Sequence, residues 1–352
     1  MKNILVTGGA GFIGSNFILY MLKNHRDIRL VNLDLLTYAG NLENLRSVEG
    51  DGRHIFVQGD IGAQALVAEL FEKYDIDSVV HFAAESHVDR SIEDPGVFAQ
   101  TNVLGTLNLL GCARAAWENA DGSWREGVKF IQVGTDEVYG SLGATGFFTE
   151  ETPLDPHSPY SASKAAADLF VAAWHDTYGL PACITRCSNN YGPYQFPEKL
   201  IPLMIHNACN RQALPVYGDG LNVRDWLYVE DHCRAIDLVL QKGTPGEVYN
   251  VGGHNERTNI TIVREIIALV HDKVDPAVDE RLIRYVADRK GHDRRYGIDP
   301  EKIGRELGWR PLVPFEKGIE MTVDWYLQNA DWLRDVTSGA YLDYYDKMYS
   351  GR

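Results

Sequence analysis

Two adjacent carboxylates, Asp136 and Glu137, follow Thr135 and the apolar run 129–134. Such a run is typical of a buried strand, and ligands of parallel sheets bind at the carboxyl ends of the strands. Neighbouring carboxylates can hold opposite protonation states, so that one donates a proton while the other accepts one. This combination suits the elimination of water, which needs an acid and a base together. The alternative is a solvated turn at the end of a strand.

A tyrosine and a lysine, Tyr160 and Lys164, are four residues apart in a segment with a helical pattern. This spacing places both side chains on one face of a helix. A phenol, with an unperturbed pKa of about 10, is a poor base near neutral pH. A nearby ammonium such as that of Lys164, together with a cationic nicotinamide ring where a dinucleotide is bound, would favour the phenolate of Tyr160. A chance pair is the alternative, since the chain has 18 tyrosines.

A glycine-rich loop, which contains Gly8, Gly11 and Gly14, follows the first strand-like run and precedes a helical pattern. Glycines permit a tight turn, and the N-terminus of the following helix attracts a pyrophosphate. Asp34 ends the second strand-like run, where a carboxylate accepts hydrogen bonds from ribose hydroxyls. These features predict a binding site for NAD rather than NADP. A glycine turn with an unrelated Asp is the alternative.

Short apolar runs alternate with helical patterns through the first half of the chain. The predicted strands are residues 3–7, 29–33, 54–58, 78–82, 129–134 and 182–186. The predicted helices in this half are residues 13–23, 63–74, 96–118 and 160–178. This alternation predicts an α/β fold with a Rossmann-type doubly wound parallel sheet.

The composition of the sequence changes after Asn189, where residues typical of turns become frequent. Helical patterns in this part are shorter, at residues 230–241, 262–271, 300–307 and 315–327. We therefore expect a Rossmann domain at residues 1–188 that holds the cofactor and the catalytic residues. Residues 189–352 are expected to form mainly a smaller C-terminal substrate-binding lobe, with chain crossings between the two.

Composition excludes several classes of protein. The net charge of −15 argues against a nucleic-acid binder, which normally has a basic face. The longest apolar segments are too short to span a membrane. The five cysteines are odd in number and lack a C-x-x-C pair, so we expect reduced thiols, no metal site and a cytoplasmic location.

Taken together, these motifs resemble the extended short-chain dehydrogenase/reductase family. Its members that act on nucleotide sugars include 4-epimerases, decarboxylases and 4,6-dehydratases, which all begin by oxidising the sugar at C4. The resemblance implies NAD as the cofactor and Tyr160 as the base for the C4 hydroxyl.

The residues that choose among these reactions are Thr135, Asp136 and Glu137. Thr-Asp-Glu resembles the motif of the 4,6-dehydratases that act on dTDP-glucose, whereas epimerases tend to have small or hydroxyl residues here. Decarboxylases and the dehydratase of GDP-mannose tend to have Thr-Ser-Glu. The resemblance thus implies that Glu137 removes the C5 proton while Asp136 protonates the departing C6 hydroxyl. The choice of thymidine over uridine depends on the resemblance alone.

The resemblance covers nearly the whole chain, including residues 33–41, 85–91, 186–193, 196–200, 217–220, 224–226 and 288–293. The implied catalytic residues are Thr135, Asp136, Glu137, Tyr160 and Lys164. The predicted cofactor contacts are Gly8, Gly11, Phe12, Ile13, Gly14, Asp34, Leu35, Leu36, Thr37, Asp60, Ile61, Ala83, Ala84, Ser86, Thr101, Tyr160, Lys164 and Asn190. The predicted substrate contacts are Ser86, His87, Thr135, Asn189, Lys199, Leu200, Pro215, Tyr217, Arg224, Asn259, Arg289 and His292.

Two other functions remain open from the sequence. A nucleotide-sugar 4-epimerase is the nearest alternative, but an epimerase needs neither of the adjacent carboxylates Asp136 and Glu137. A binding module that senses NAD without turnover is the second alternative, but such a module would not need the predicted catalytic pair Tyr160 and Lys164. Members of the family commonly dimerise through two long helices per subunit. The resemblance therefore also implies a homodimer formed by helices 96–118 and 160–178.

Overall fold

The protein was analysed as a computed structural model, which describes residues 2–337. Its strands are β1 (Lys2–Thr7), β2 (Ile28–Asp34), β3 (His54–Gln58), β4 (Ser78–His81), β5 (Lys129–Thr135), β6 (Ala182–Cys187), β7 (Asn189–Tyr191), β8 (Leu214–Tyr217), β9 (Val223–Tyr228), β10 (Val248–Val251), β11 (Glu256–Thr258) and β12 (Ile283–Val286). The part of the predicted lobe at residues 338–352 lies outside the described residues.

The helices cover the sheet faces and build much of the second lobe. They are α1 (Phe12–Asn24), α2 (Gln64–Tyr74), α3 (Val88–Glu93), α4 (Pro95–Phe98), α5 (Thr106–Trp117), α6 (Pro159–Tyr178), α7 (Leu200–Cys209), α8 (Val229–Lys242), α9 (Asn259–Lys273), α10 (Glu301–Leu307), α11 (Phe315–Gln328) and α12 (Ala330–Val336). Short 3-10 helices occupy Leu42–Val48, Asp136–Tyr139 and Glu280–Leu282.

A seven-stranded parallel sheet forms the centre of the molecule, in the order β10-β6-β5-β4-β1-β2-β3. Helices α1 and α8 pack on one face, around Phe17 and Ile236. On the other face lie α2, α5 and α6, which contribute Leu70 and Leu109 to the core. The predicted doubly wound α/β fold is therefore confirmed.

All six predicted strands are present, with ends that differ by at most one residue from the prediction. The seventh strand, β10, was missed, because its four residues follow the turn-rich region and pair with β6 only after a long excursion. β10 lies beyond residue 188 but adds to the central sheet beside β6. The chain therefore returns from the predicted second lobe to the Rossmann domain, as expected. The division of the chain at residue 188 stays a prediction.

The predicted helix 96–118 is not one continuous α-helix. It divides into α4, a π-helical turn at Ala99–Gly105 and α5. A Cβ added at Gly105 would lie 2.5 Å from Cδ1 of Ile61, so this turn passes close to the loop after β3. This π-helical segment has only 7 residues, which is too short for the sequence pattern to reveal it.

The second lobe has a small sheet, β11-β9-β7, and a two-stranded pair, β12-β8. Its core lies between α7, α9 and α11, where Met204, Ile266 and Val323 are buried. The sequence did not indicate β7, β8, β9, β11, β12, α3, α7 or α12. Most of these elements are short, and their pairing partners are distant in the sequence, so local patterns carry little signal.

The structure provides findings on membrane-spanning helices and on the cysteines. Within residues 2–337, no helix is long and apolar enough to cross a membrane. The five cysteines are free thiols, and four of them, Cys112, Cys183, Cys187 and Cys233, are buried.

Candidate active site

The glycine-rich loop between β1 and α1 is a close-packed turn. A Cβ at Gly8, which has a φ of +70°, would lie 2.6 Å from the Ala83 amide nitrogen. A Cβ at Gly14 would lie 2.2 Å from the Gly8 carbonyl oxygen. Helix α1 begins with Gly11 at its N-cap, without a side-chain cap and without an acidic residue in its first turn. Its N-terminal N–H groups therefore suit an anion such as a diphosphate.

Asp34 lies at the carboxyl end of β2, beside this loop. Its carboxylate accepts hydrogen bonds from the backbone N–H groups of Ala10 at 2.9 Å and Leu36 at 2.8 Å. Burial raises the pKa of the carboxyl, while these two bonds lower it. Each carboxylate oxygen has a further lone pair, so Asp34 can still accept bonds from ribose hydroxyls.

One cavity runs along the carboxyl ends of the central strands and brings together nearly all of the predicted cofactor residues. It is lined by Gly8, Gly11, Phe12, Ile13, Gly14, Asp34, Leu35, Thr37, Asp60, Ile61, Ala83, Ala84, Ser86, Thr101, Tyr160, Lys164 and Asn190. Of the predicted set, Leu36 is not among the lining residues; its N–H group instead holds Asp34. We call this space the cofactor cavity.

A second cavity lies between the sheet edge and the second lobe, and we call it the substrate cavity. Its walls include His87, Asn189, Lys199, Leu200, Pro215, Tyr217, Arg224, Asn259, Arg289 and His292. Ser86 and Thr135, also predicted to contact substrate, line the cofactor cavity. The two cavities share Glu137, Asn189, Asn190, Gln195, Glu198 and Lys199, so they meet at one predicted catalytic residue, Glu137, while Thr135, Asp136, Tyr160 and Lys164 line the cofactor cavity.

Tyr160 lies in the first turn of α6, which a capping box formed by Ser158 and Ser161 initiates. Lys164 is fully buried, and its Nζ donates a 2.8 Å hydrogen bond to the Val133 carbonyl. Burial raises the pKa of Tyr160 well above its usual value, Glu137 raises it further, and a hydrogen bond with Thr135 lowers it. Among the protein groups burial therefore dominates, and the Lys164 ammonium is engaged by the Val133 carbonyl; the predicted phenolate also depends on a cationic nicotinamide ring and stays a prediction.

The position of Tyr160 is secured by the π-helical turn. Asn102 in that turn is buried and donates a 2.8 Å hydrogen bond to the Ser163 hydroxyl, which in turn donates to the Tyr160 carbonyl at 2.7 Å. The side-chain amide of Asn102 also accepts a 2.8 Å hydrogen bond from the Glu85 N–H group and donates a 3.0 Å hydrogen bond to the Glu85 carbonyl. The turn thus joins the helix that carries Tyr160 to the loop after β4, which lines the cofactor cavity.

Asp136 is almost completely buried at the end of β5. Its Oδ2 is a buried oxygen without a hydrogen-bond partner among the described residues. Burial raises the pKa of the Asp136 carboxyl well above its usual value, and Glu137 and Asp225 raise it further. The environment therefore favours a protonated Asp136 that can donate a proton.

Glu137 is half-buried and lines both cavities. Burial raises the pKa of its carboxyl, while Lys199, Arg224 and Arg289 lower it. These cations come from three separate segments of the chain and converge on one side of the carboxylate. Their charges favour the ionised form of Glu137, whereas Asp136 beside it is surrounded mainly by negative groups.

The two arginines of the substrate cavity are fixed before any ligand binds. Arg224 donates to the Asp293 carbonyl at 2.9 Å, and its guanidinium lies 4.1 Å from the ring centre of Tyr296. Arg289 donates to the Asp89 carboxylate at 3.1 Å. A guanidinium held in this way is suited to bind a diphosphate with little loss of side-chain entropy.

Two predicted contacts, His87 and Asn190, are buried side chains. Burial lowers the pKa of His87 well below its usual value, with Lys199 and Arg289 acting in the same direction. Asn190 accepts a 2.9 Å hydrogen bond at Oδ1 from His232 and donates through Nδ2 to the Ser188 carbonyl. His87 therefore offers the cavity an uncharged imidazole, and Asn190 has a fixed side-chain orientation.

Sequence reasoning missed several lining residues. Glu198 lies where the cavities meet and accepts hydrogen bonds from Tyr38 at 3.0 Å and Arg90 at 3.3 Å. Tyr296 packs beneath Arg224 in the substrate cavity. The only signal was adjacency in the sequence, since Glu198 precedes Lys199 and Tyr296 closely follows His292.

The chain matches one family model, described as GDP-mannose 4,6 dehydratase, over residues 5–322. A curated dTDP-glucose 4,6-dehydratase from Xanthomonas campestris pv. campestris (strain B100) is 59% identical over 345 residues. That alignment covers 97% of each of the two chains.

Solved structures agree with this comparison. A dTDP-glucose 4,6-dehydratase from Bacillus anthracis in complex with NAD is 50% identical, covers 96% of this chain and 100% of its own, and has a TM-score of 0.86. Another, from Streptomyces venezuelae with NAD bound, is 49% identical, with coverages of 95% and 100% and a TM-score of 0.88.

Proposed function

The chain belongs to the dTDP-glucose 4,6-dehydratases of the extended short-chain dehydrogenase/reductase family, and we propose that its two joined cavities convert dTDP-glucose to dTDP-4-keto-6-deoxyglucose and water. The observation that carries this conclusion is the pair of adjacent carboxyls, of which Glu137 lines both cavities and Asp136 lines the cofactor cavity. Asp136 is held towards its protonated form, and Glu137 faces three cations. Elimination of water needs this combination.

The residues that line the cofactor cavity are suited to bind NAD. The glycine loop packs tightly against Ala83 because Gly8 has no side chain: a Cβ there would lie 2.6 Å from the Ala83 amide nitrogen. The uncapped start of α1 suits the phosphates, and the Asp34 carboxylate suits the ribose hydroxyls and repels a 2′-phosphate. When bound, NAD would accept the C4 hydride of the sugar and later return it to C6.

In the oxidation step, the phenolate form of Tyr160 takes the proton of the C4 hydroxyl and becomes a phenol. Thr135 is within hydrogen-bonding reach of this phenol and lowers its pKa, and Thr135 also accepts a 3.3 Å hydrogen bond from the Glu137 N–H group. Lys164 is a buried ammonium in the same cavity wall. Thr135 therefore connects the groups for oxidation with the groups for elimination.

In the elimination step, the C5 hydrogen is acidified by the C4 ketone, and Glu137 removes it. Asp136 donates its proton to the departing C6 hydroxyl, which leaves as water. The diphosphate is held by Arg224 and Arg289, whose guanidinium groups are already oriented. With the far end of the substrate fixed, the sugar is presented to both carboxyls at once.

The rival functions account for less of the site. A 4-epimerase returns hydride to the other face of C4 and needs neither Asp136 nor Glu137. A module that only senses NAD would need neither the polar substrate cavity nor Tyr160. The cytoplasmic location remains a prediction that rests on the cysteines.

Incubation with dTDP-glucose tests the function directly. We expect a 4-keto sugar, detected by its near-ultraviolet absorbance in alkali. Deuterium placed at C4 should reappear at C6 of the product, because the hydride is transferred within the active site. A C4 epimer without a keto sugar would support the epimerase, and an unchanged substrate with NAD bound would support the sensing module.

We also propose a homodimer formed by the helical surface of α4 to α6. This surface presents apolar side chains to the outside: Val97 is 44% exposed, Leu104 is 51% exposed and Leu169 is 60% exposed. Exposed aliphatic side chains on neighbouring helices favour association with a second copy of the same surface.

Leu169→Glu should convert a dimer into a monomer, because it places a charge in the centre of this surface. Mass measurement in solution checks this result. Leu312→Glu is the matched control, since Leu312 is similarly exposed, at 59%, but lies outside these helices. A wild-type protein with only a 39.5 kDa species would contradict the dimer.

A further inference from the structure

Helix α12 reaches from the second lobe to the loops that surround the cofactor cavity. The link is Trp332, whose indole Nε1 donates a 2.8 Å hydrogen bond to Oδ1 of Asn44. Asn44 is 1% exposed and belongs to the 3-10 helix Leu42–Val48, in the long connection between β2 and β3. Nothing in the proposed reaction uses either residue.

Asn44 also contacts the phosphate-binding loop. Its Nδ2 donates a 3.0 Å hydrogen bond to the carbonyl of Ala10, and the Asn41 N–H group donates to the same carbonyl at 3.0 Å. The Ala10 N–H group in turn donates to Asp34 at 2.9 Å. One buried amide thus joins α12 to the turn between β1 and α1.

The connection that contains Asn44 is also a wall of the cofactor cavity. Leu35, Thr37, Ala39 and Gly40, which precede Asn44 in this connection, line the cavity beside Asp34. For NAD to leave by this side, the connection must move away from the loop at Ala10. Such a movement breaks the bonds of the Asn44 amide, because that amide spans the two segments.

Trp332 is itself held in place by other rings of the C-terminal part of the chain. Its ring centre lies 5.2 Å from that of Trp325 and 6.0 Å from that of Tyr194. The Trp332 indole is thus a rigid donor rather than a mobile surface side chain, and a rigid donor loses little entropy when its hydrogen bond forms.

We infer that Trp332, Asn44 and Ala10 form a clasp through which α12 retains NAD in the enzyme between turnovers. Trp332 is a positioning residue in this arrangement, since it acts on the cofactor cavity through Asn44. The inference depends on NAD as the cofactor but not on the identity of the sugar, so it is tested without substrate.

The test is the rate at which bound NAD exchanges with excess isotopically labelled NAD in the purified holoenzyme. Trp332→Phe removes the N–H donor and keeps an aromatic ring, and we expect NAD exchange to become about two- to tenfold faster, as the loss of one hydrogen bond implies. Trp325→Phe makes the same change in the neighbouring ring of the cluster and should leave the exchange rate near the wild-type value.

A double-mutant cycle separates the clasp from a general loss of packing. If Trp332 acts through Asn44, Trp332→Phe should have little further effect on NAD exchange in an Asn44→Ala background. Turnover at saturating NAD should remain near the wild-type rate in Trp332→Phe. Wild-type NAD exchange in Trp332→Phe, equal acceleration in Trp325→Phe, or fully additive effects in the cycle would each overturn the clasp.

Discussion

Tyr160→Phe should slow oxidation at C4 by about a hundred- to ten-thousand-fold, as expected for the loss of a general base. The variant keeps the ring that packs edge-on against Phe98 at 6.4 Å and loses only the phenolic oxygen. The fold and the substrate cavity should therefore be preserved. Single-turnover formation of NADH absorbance after mixing with dTDP-glucose measures the oxidation step alone.

The pH dependence gives a second measurement of the same role. Burial and Glu137 raise the pKa of Tyr160, so the phenolate fraction, and with it the oxidation rate, should increase with pH in the wild-type enzyme. Tyr160→Phe should lose this increase. Tyr178→Phe, on the same helix but at its exposed end, should retain both the rate and the pH profile. Near-wild-type oxidation in Tyr160→Phe would show that another base takes the proton.

Asp136→Asn should separate oxidation from dehydration. The amide keeps the shape of the side chain and removes the proton that Asp136 is held ready to donate. We expect C4 oxidation to continue, visible as transient NADH absorbance, while elimination of water slows by about a hundred- to ten-thousand-fold. Rapid quenching followed by quantification of the 4-keto sugars with and without the C6 hydroxyl measures the two steps separately.

Glu137→Gln is the complementary change, because it removes the base and leaves the acid. It should slow the exchange of the C5 hydrogen with solvent deuterium, which Asp136→Asn should affect less. In the wild-type enzyme, elimination should fall at high pH as Asp136 ionises and at low pH as Glu137 is protonated. Both carboxyls have raised pKa values, so the two pH values at which elimination declines should each lie above the range in which ordinary carboxyls titrate. Normal dehydration by Asp136→Asn would show that the roles are assigned wrongly.

Local sequence was sufficient for the reactive groups themselves. The spacing of Tyr160 and Lys164 depends only on the helical repeat, and α6 has the predicted extent to within one residue. The glycine loop and Asp34 are likewise defined by the strand before and the helix after them. These features could be predicted because hydrogen bonds between near neighbours in the sequence create them.

Some local patterns were nevertheless incomplete. The π-turn at Ala99–Gly105, which carries Asn102, is too short to show a period that differs from that of the α-helices around it. Spacing alone also does not reveal that the Lys164 ammonium is bonded to the Val133 carbonyl. Burial, which dominates the pKa of Tyr160, is a property of the packed molecule.

The sequence by itself predicted which groups would do the chemistry and which glycine loop would hold the cofactor. Only the tertiary structure decided the electrostatic surroundings of the carboxyls, since the charges of Lys199, Arg224 and Arg289 act on Glu137 from separate segments while Asp136 is buried and acted on by Glu137 and Asp225. It also decided the contact of α12 with the cofactor loops, where Trp332 meets Asn44 from the far end of the described chain. The physical reason is that charge and hydrogen bonding act through space, and distances in space between remote segments are set by the folded core rather than by local spacing.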